Sequence, residues 1–408
     1  MQNMPFSHEA LDHYFTFRHI PGEYRKKNLA DITGSYDFSN TIDISFEDAK
    51  KKLYELLLKA AENLAKNYKD DICLLLSGGL DSSTTLYLLK QVTDRKIKTF
   101  NLVYFDKFTD DFKGKQTDAE YSRILANLYG TEHYIKMITA DEVFADMPEI
   151  MRKLDMPFSG VVTSHFANKI LQPFCSTYFT GDYSDELFGS YKTHREAHLH
   201  TDTMAEWRYY LYVFKDYEKV ELYSDKFKHD WTQMASFDRI ARMMNNDIKD
   251  PTNRIIDYEW RTLLPDEVLT CPYYLCPCQD VSPFMDEAVI NFAHSLPGNY
   301  KVSTADTARD IMKTKYVLKE AMRGHLPDYV IDREKEGFVQ PTNSWVKSLW
   351  RSGIVKRLSN CNNHGFWNPE YINKLMGNYY SGGAYSDVYK IWNLFCFQVW
   401  WDECVSKS

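Results

Sequence analysis

Ile72-Cys73-Leu74-Leu75-Leu76-Ser77-Gly78-Gly79-Leu80-Asp81-Ser82-Ser83 is the stretch from which the chain is best read. Ile72 to Leu76 is a short, continuous apolar run of the kind that forms a parallel strand buried on both faces. It stops at Ser77-Gly78-Gly79, and Ser82 to Val92 resumes with a helical pattern. A buried strand, a glycine turn and a helix in that order make an anion cradle. The glycines let backbone approach an anion, the helix N-terminus aims free N–H groups at it, and Ser77, Ser82 and Ser83 add hydroxyls. The loop is not GxxxxGK[ST], because no lysine follows, and it is not GxGxxG. A carboxylate at Asp81 makes sense beside phosphates only with a cation between them, so the loop implies Mg²⁺. A plain glycine turn with an N-cap serine is the competing reading, and the apolar strand ahead of it argues against it.

Outward from the loop, strand and helix alternate. Residues 46 to 68 read as an amphipathic helix, with Phe46, Ala49, Leu53, Leu56, Leu57, Ala60 and Leu64 at helical spacing. Strands are expected at Lys98 to Phe105, His133 to Met137 and Ser176 to Gly181, and helices at Asp118 to Tyr129 and Ser164 to Leu171. From about His194 helical periodicity dominates, as in Asp286 to Ser295 and Thr314 to Arg323. The fold class expected is α/β: a parallel-sheet nucleotide-binding core over 46–193 with a mostly helical C-terminal part over 194–408. Residues 1–45 precede the core.

Composition bounds the function. With 49 Lys+Arg against 57 Asp+Glu the net charge is −8, which argues against nucleic acid as the main partner. No stretch approaches 18 uninterrupted apolar residues, and Met1 to Phe15 lacks a basic segment followed by an apolar run. A cytoplasmic protein without a membrane partner is therefore expected. Eight cysteines in 408 residues are too sparse for a disulfide scaffold.

Two further segments carry chemistry. Thr180-Gly181-Asp182-Tyr183-Ser184-Asp185-Glu186-Leu187-Phe188-Gly189-Ser190-Tyr191 ends a strand at Gly181 and follows it with carboxylates in a turn, where a metal-bridged phosphate can sit. Ile331-Asp332-Arg333-Glu334-Lys335-Glu336-Gly337-Phe338-Val339-Gln340-Pro341 is followed by Trp345. Taken alone, its alternating charges describe a solvated face.

In order and context, the three segments resemble one family. Ser77 to Ser83 is similar to the pyrophosphate loop of the ATP pyrophosphatases, which attack the α-phosphate of ATP with a substrate oxygen and release pyrophosphate. Several branches share that loop. Thr180 to Tyr191 resembles the GDGSDELFGGY signature of the asparagine synthetase synthase domain, and Arg333 to Pro341 resembles its R-x-K-x-GF-x-x-P string. Glu120-Tyr121, Leu128 to His133, Leu154 to Phe158, Pro283 to Asp286 and Lys315 to Lys319 match weakly but in the family's order. The resemblance covers about residues 46 to 350.

It implies an adenine nucleotide α-hydrolase-like core using ATP and Mg²⁺. ATP would lie against Leu75, Ser77, Gly78, Gly79, Asp81, Ser82, Ser83, Leu102 and Gly181, with Asp81 and Asp185 opposed across one magnesium pyrophosphate. Lys335 would neutralise charge at the α-phosphate, and Asp182 is the base candidate. The implied activity adenylates a small-molecule carboxylate, and an amine or ammonia then displaces AMP. The acceptor stays open between ammonia, free or supplied by a partner, and a substrate amine, as in the related β-lactam synthetases and lasso-peptide cyclases. A non-catalytic nucleotide-binding scaffold is the alternative from another class, and the presence of Asp81, Asp185 and Lys335 weighs against it.

The chain also departs from the family. Tyr183 and Ser190 replace usual glycines. The glutamine-using enzymes carry a nucleophilic cysteine after the initiator methionine, whereas this chain begins Met1-Gln2 and its first cysteine is Cys73. A glutaminase domain is thus expected to be absent, with a separate glutaminase a possible partner, and residues 13 to 25 look like the family's connector. On the acceptor side, Cys271 to Ser282 stands where the family has a run ending E-x-R-x-PFLD, and the glutamate and arginine are missing. That puts aspartate as substrate in doubt. Cys271, Cys276 and Cys278 could ligate a metal, but C-x4-C-x-C lacks paired C-x2-C spacing, and a reduced, pocket-lining set is the expectation.

Overall fold

The computed structural model describes residues 5–26, 29, 33–34, 36, 40–68, 71–105, 115–228, 235–245, 247–303, 313–333, 340–359 and 364–406. Helix α1 (His8–Phe17) starts at Ser7, whose side chain accepts from the Ala10 N–H. Helix α2 (Phe46–Asn67) is capped the same way, Ser45 accepting from Asp48, and its buried stripe is Ala49, Leu53, Leu57, Ala60 and Ala61. It leads into β1 (Ile72–Leu75), helix α3 (Leu80–Val92) and β2 (Ile97–Phe105). Then follow helix α4 (Lys115–Tyr129), β3 (Glu132–Thr139), helix α5 (Ala140–Leu154) and helix α6 (Thr163–Leu171). Strand β4 (Thr177–Phe179) closes the alternating part.

The strands form one parallel sheet in the order β3-β2-β1-β4-β5. Its fifth strand, β5 (Gln279–Val281), comes from the C-terminal part and pairs Asp280 with Tyr178. This strand was not expected from the sequence: it is three residues long, polar in two of them, and set between Pro277 and Pro283. Helix α5 was also unforeseen, although Thr139 and Glu142 form a capping box at its start.

Alternation along the strands divides the core. Cys73, Phe100, Leu102, Tyr104 and Tyr178 face a cluster that includes Tyr14, Ile150, Phe166 and Trp345. Ile72, Leu74, Leu76 and Phe179 face a second cluster with Leu53 and Leu57 of α2. The chain runs outward from β1 through β2 to β3 and then returns to β4 on the other side of β1. That reversal puts a topological switch point between β1 and β4, at whose carboxyl ends open α/β sheets bind their ligands.

The N-terminal segment is part of this core. Asp12 on α1 is 1% exposed and accepts from Lys219 Nζ (2.9 Å), Tyr223 Oη (2.8 Å) and Ser236 Oγ (2.8 Å). Tyr14 donates to the Asn393 carbonyl at 2.6 Å. Replacing Asp12 by alanine leaves the fully buried Lys219 without one of its two carboxylates, and an expected loss of about 3–5 kcal/mol follows. Urea unfolding checks it, and a loss under about 1 kcal/mol would mean that α1 is not anchored there.

Candidate active site

The loop after β1 folds on its own hydroxyls. The Ser77 N–H donates to Ser82 Oγ (3.2 Å), the Gly79 N–H to Ser77 Oγ (3.2 Å), and the two serine oxygens lie 3.1 Å apart. Gly79 is the N-cap of α3, so the first N–H groups of the helix are left without a side-chain cap at the carboxyl end of β1. Gly78 has φ +78°, and a Cβ there would lie 2.5 Å from Tyr121 Cβ and 2.7 Å from the Ser122 nitrogen of α4. Only glycine fits. Ser83 is fully buried behind the loop, its hydroxyl without a hydrogen-bond partner among the described residues. Leu75 is half-buried and Leu102 nearly buried, both toward the same core cluster.

The second segment meets the first across the switch point. A Cβ on Gly181 would lie 2.6 Å from both Asp81 Cβ and the Ser82 nitrogen, so the two loops touch through backbone. Thr85 Oγ1 donates to the Thr180 carbonyl at 2.9 Å, which ties α3 to the end of β4. Helix α7 (Ser184–Phe188) then begins, preceded by Tyr183 at φ +74°. This is the left-handed conformation that glycine adopts freely, and a tyrosine there costs roughly 1–2 kcal/mol. Its ring is buried and packs edge-on against Trp260 at 5.5 Å. Ser190, at the other usual glycine, donates from Oγ to Asp185 Oδ1 at 2.5 Å.

Asp81 and Asp185 converge on one cation. Lys315 Nζ lies 2.5 Å from Asp81 Oδ1 and 2.5 Å from Asp185 Oδ1, and Ser184 Oγ also donates to Asp81 Oδ1 (2.7 Å). Lys315 precedes helix α8 (Tyr316–Met322). It stood in a string that matched the family, but nothing in the sequence indicates that its charge reaches residues more than a hundred positions away. Two hard carboxylate oxygens around a shared positive centre are a donor set that fits Mg²⁺.

Asp182 stands beside this pair, half-buried. Its carboxyl is pushed up to about 7, first by burial, then by the charge of Asp280, with smaller contributions from Asp185 and Asp81. Asp280 is itself raised by burial. It lies on β5, within the stretch where the family's glutamate and arginine are missing, so that stretch supplies a new carboxylate next to the base candidate. Glu186, buried behind Asp185, is also pushed up to about 7, by burial and then by Asp185.

Lys335 lies outside the described residues. Its flanks are placed. Arg333 Nη2 is 2.5 Å from Asp118 Oδ1, and its guanidinium stacks on Tyr121, the residue that Gly78 abuts. On the other side, Gln340 accepts from the Val162 N–H at 2.9 Å and donates to the Gly160 carbonyl at 3.2 Å. The third segment therefore starts beside the first.

Cys271, Cys276 and Cys278 are packed into the core. All three are free, buried thiols of the core cluster, with Cys278 against the Cys175 carbonyl (3.1 Å). Burial pushes the Cys276 thiol up to about 11. Among the described residues, the group with metal-ligand spacing is Asp146, Glu149 and His165, not these cysteines. No described helix is long and apolar enough to cross a membrane.

The model of the asparagine synthase family matches residues 52–402. Asparagine synthetase [glutamine-hydrolyzing] 1 of Bacillus subtilis is 22% identical over 98% of this chain and 69% of its own length. A putative asparagine synthetase [glutamine-hydrolyzing] of Mycobacterium tuberculosis is 23% identical over 84% of this chain and 59% of its own. A putative asparagine synthetase [glutamine-hydrolyzing] 2 of Methanocaldococcus jannaschii is 28% identical over 42% of this chain and 31% of its own. The chain thus spans between about three- and seven-tenths of the length of these relatives. The family match takes in the loop at Ser77, the carboxylates at Asp81 and Asp185, and Lys315 between them: the chain belongs to the asparagine synthase family.

Proposed function

We propose that the protein is an ATP-dependent amide-forming synthetase that adenylates a substrate carboxylate, releases pyrophosphate, and lets an amine or ammonia displace AMP. The observation that carries this reading is the convergence of Asp81 and Asp185, from two loops across the switch point, on a single positive centre. A phosphate-binding loop alone would explain nucleotide affinity. Two opposed carboxylates beside it are suited to a divalent cation held on the leaving pyrophosphate. Mg²⁺, when bound, would neutralise charge on the phosphate oxygens. The loop from Ser77 to Ser82 and the N-terminus of α3 would hold the pyrophosphate by N–H and hydroxyl donors, and Lys335 would face the α-phosphate.

For the second step, the attacking nitrogen must lose a proton. Asp182, with its carboxyl pushed up to about 7, is suited to take it near neutral pH. Asp182 and Asp280 together make the acceptor side acidic, which favours a substrate that presents a protonated amine, with ammonia the second reading. A separate glutaminase is a proposed partner only for the ammonia case.

The test is a product analysis of the purified 408-residue chain with ATP, Mg²⁺, aspartate or other carboxylates, and either ammonium, glutamine or organic amines. AMP and pyrophosphate are expected with ammonium or an amine, and no glutamate from glutamine. ADP and phosphate without AMP would contradict the reading. Asp182→Asn is expected to slow AMP release by about 10²–10⁴-fold while leaving pyrophosphate exchange near normal, because the base acts after adenylation. Equal losses in both would place Asp182 in the first step.

A further inference from the structure

Lys315 is the charged group at the centre of the site for which the proposed reaction has not yet given a use. It is 3% exposed, and among the described residues its salt bridges are with Asp81 and Asp185. With both distances at 2.5 Å, the two Oδ1 atoms cannot be more than about 5.0 Å apart. The ammonium therefore occupies the space in which a divalent cation, at about 2.0–2.1 Å from each oxygen, would have to sit. Its backbone is held as well: φ is +51°, and the Lys315 N–H donates to the Gly189 carbonyl at 3.2 Å. A non-glycine residue in the left-handed region, fixed by the loop that carries Asp185, keeps the side chain directed at the carboxylates.

We propose that Lys315 is an internal counter-ion that closes the Asp81–Asp185 site to a free divalent cation, so that the cation enters only together with the phosphates of a nucleotide, which then receive the ammonium. The inference rests on the adenylation reading for its ligand, and on charge for its logic. Two carboxylates and one ammonium sum to −1. A free cation entering beside the buried ammonium would give +1 between the two half-buried carboxylates, with like charges a few ångströms apart. Displacing the ammonium instead would leave it buried without a counter-charge, and Lys319 one turn along adds another positive group. Phosphates arriving with the cation remove both difficulties.

The experiment is a titration with Mn²⁺ followed by electron paramagnetic resonance, on the full chain. Wild type, Asp81→Asn, Lys315→Met, Lys315→Gln and Lys315→Met/Asp81→Asn are compared without nucleotide. Wild type is also measured with the α,β-methylene analogue of ATP. Nucleotide-free wild type is expected to bind Mn²⁺ at least tenfold more weakly than Lys315→Met or Lys315→Gln, and the added Asp81→Asn should remove the gain. A merely structural salt bridge would give no gain of affinity on losing the lysine. A tight Mn²⁺ site in nucleotide-free wild type that Asp81→Asn abolishes overturns the proposal, as does the absence of any gain in whichever lysine variant folds. Failure of wild type to bind the analogue with Mn²⁺ counts against the adenylation reading, and the nucleotide-free comparison then still decides the role of Lys315.

Discussion

Gly78→Ala is expected to lower pyrophosphate exchange by about 10²-fold or more, the scale on which a misplacement of about 1 Å acts. The cause is local. Gly78 sits at φ +78°, where an L side chain costs roughly 1–2 kcal/mol, and its Cβ would fall 2.5 Å from Tyr121 Cβ and 2.7 Å from the backbone nitrogen of Ser122. A flexible side chain could swing aside, but a helix backbone cannot. The loop must lift away from α4, and the Ser77 and Gly79 hydrogen bonds that shape the cradle are lost with it. Overpacking adds about 1–3 kcal/mol of instability, so a fall in melting temperature should accompany the loss of exchange. Normal exchange in a stably folded Gly78→Ala protein would show that the loop does not hold the phosphates.

Asp81→Asn and Asp185→Asn are each expected to reduce exchange by about 10²–10³-fold with the fold unchanged. Asparagine keeps the volume and one oxygen, so the Ser184 and Ser190 hydroxyls keep an acceptor, and Lys315 keeps one of its two carboxylates. What is lost is one negative charge where the cation and pyrophosphate would sit. Circular dichroism and the melting temperature report on the fold, and radiolabelled exchange on the chemistry. A variant that folds and exchanges normally would remove that carboxylate from the site.

How far these features could be read in advance depended on how local they are. The apolar run from Ile72 to Leu76 and the helix over 46–68 announce themselves through neighbours in sequence, and β1 and α2 lie there. Strand β5 did not, because Gln279-Asp280-Val281 is short and polar and gains its hydrogen bonds only from β4. Asp81 and Asp185 were legible as carboxylates following strand ends, and their convergence is a consequence of strand order. Lys315 was not, since its role exists only where three separate loops meet. Tyr183 illustrates a different limit: its identity showed less backbone freedom than glycine, yet the φ of +74° is imposed by the turn into α7 and by its packing on Trp260. The cysteines were expected around a pocket because they interrupt the acceptor stretch. In the structure they are buried in the core cluster that also holds Cys73, Phe100 and Tyr178 of the sheet, just ahead of β5.

The most direct measurement is the exchange of labelled pyrophosphate into ATP by the purified protein, with Mg²⁺, in the presence and absence of candidate carboxylates and with no nitrogen donor. Adenylation is reversible, so label should enter ATP only when the right carboxylate is present, and AMP should not accumulate until an amine or ammonium is added. Carboxylate-dependent formation of ADP and phosphate, with no label entering ATP, would contradict the account.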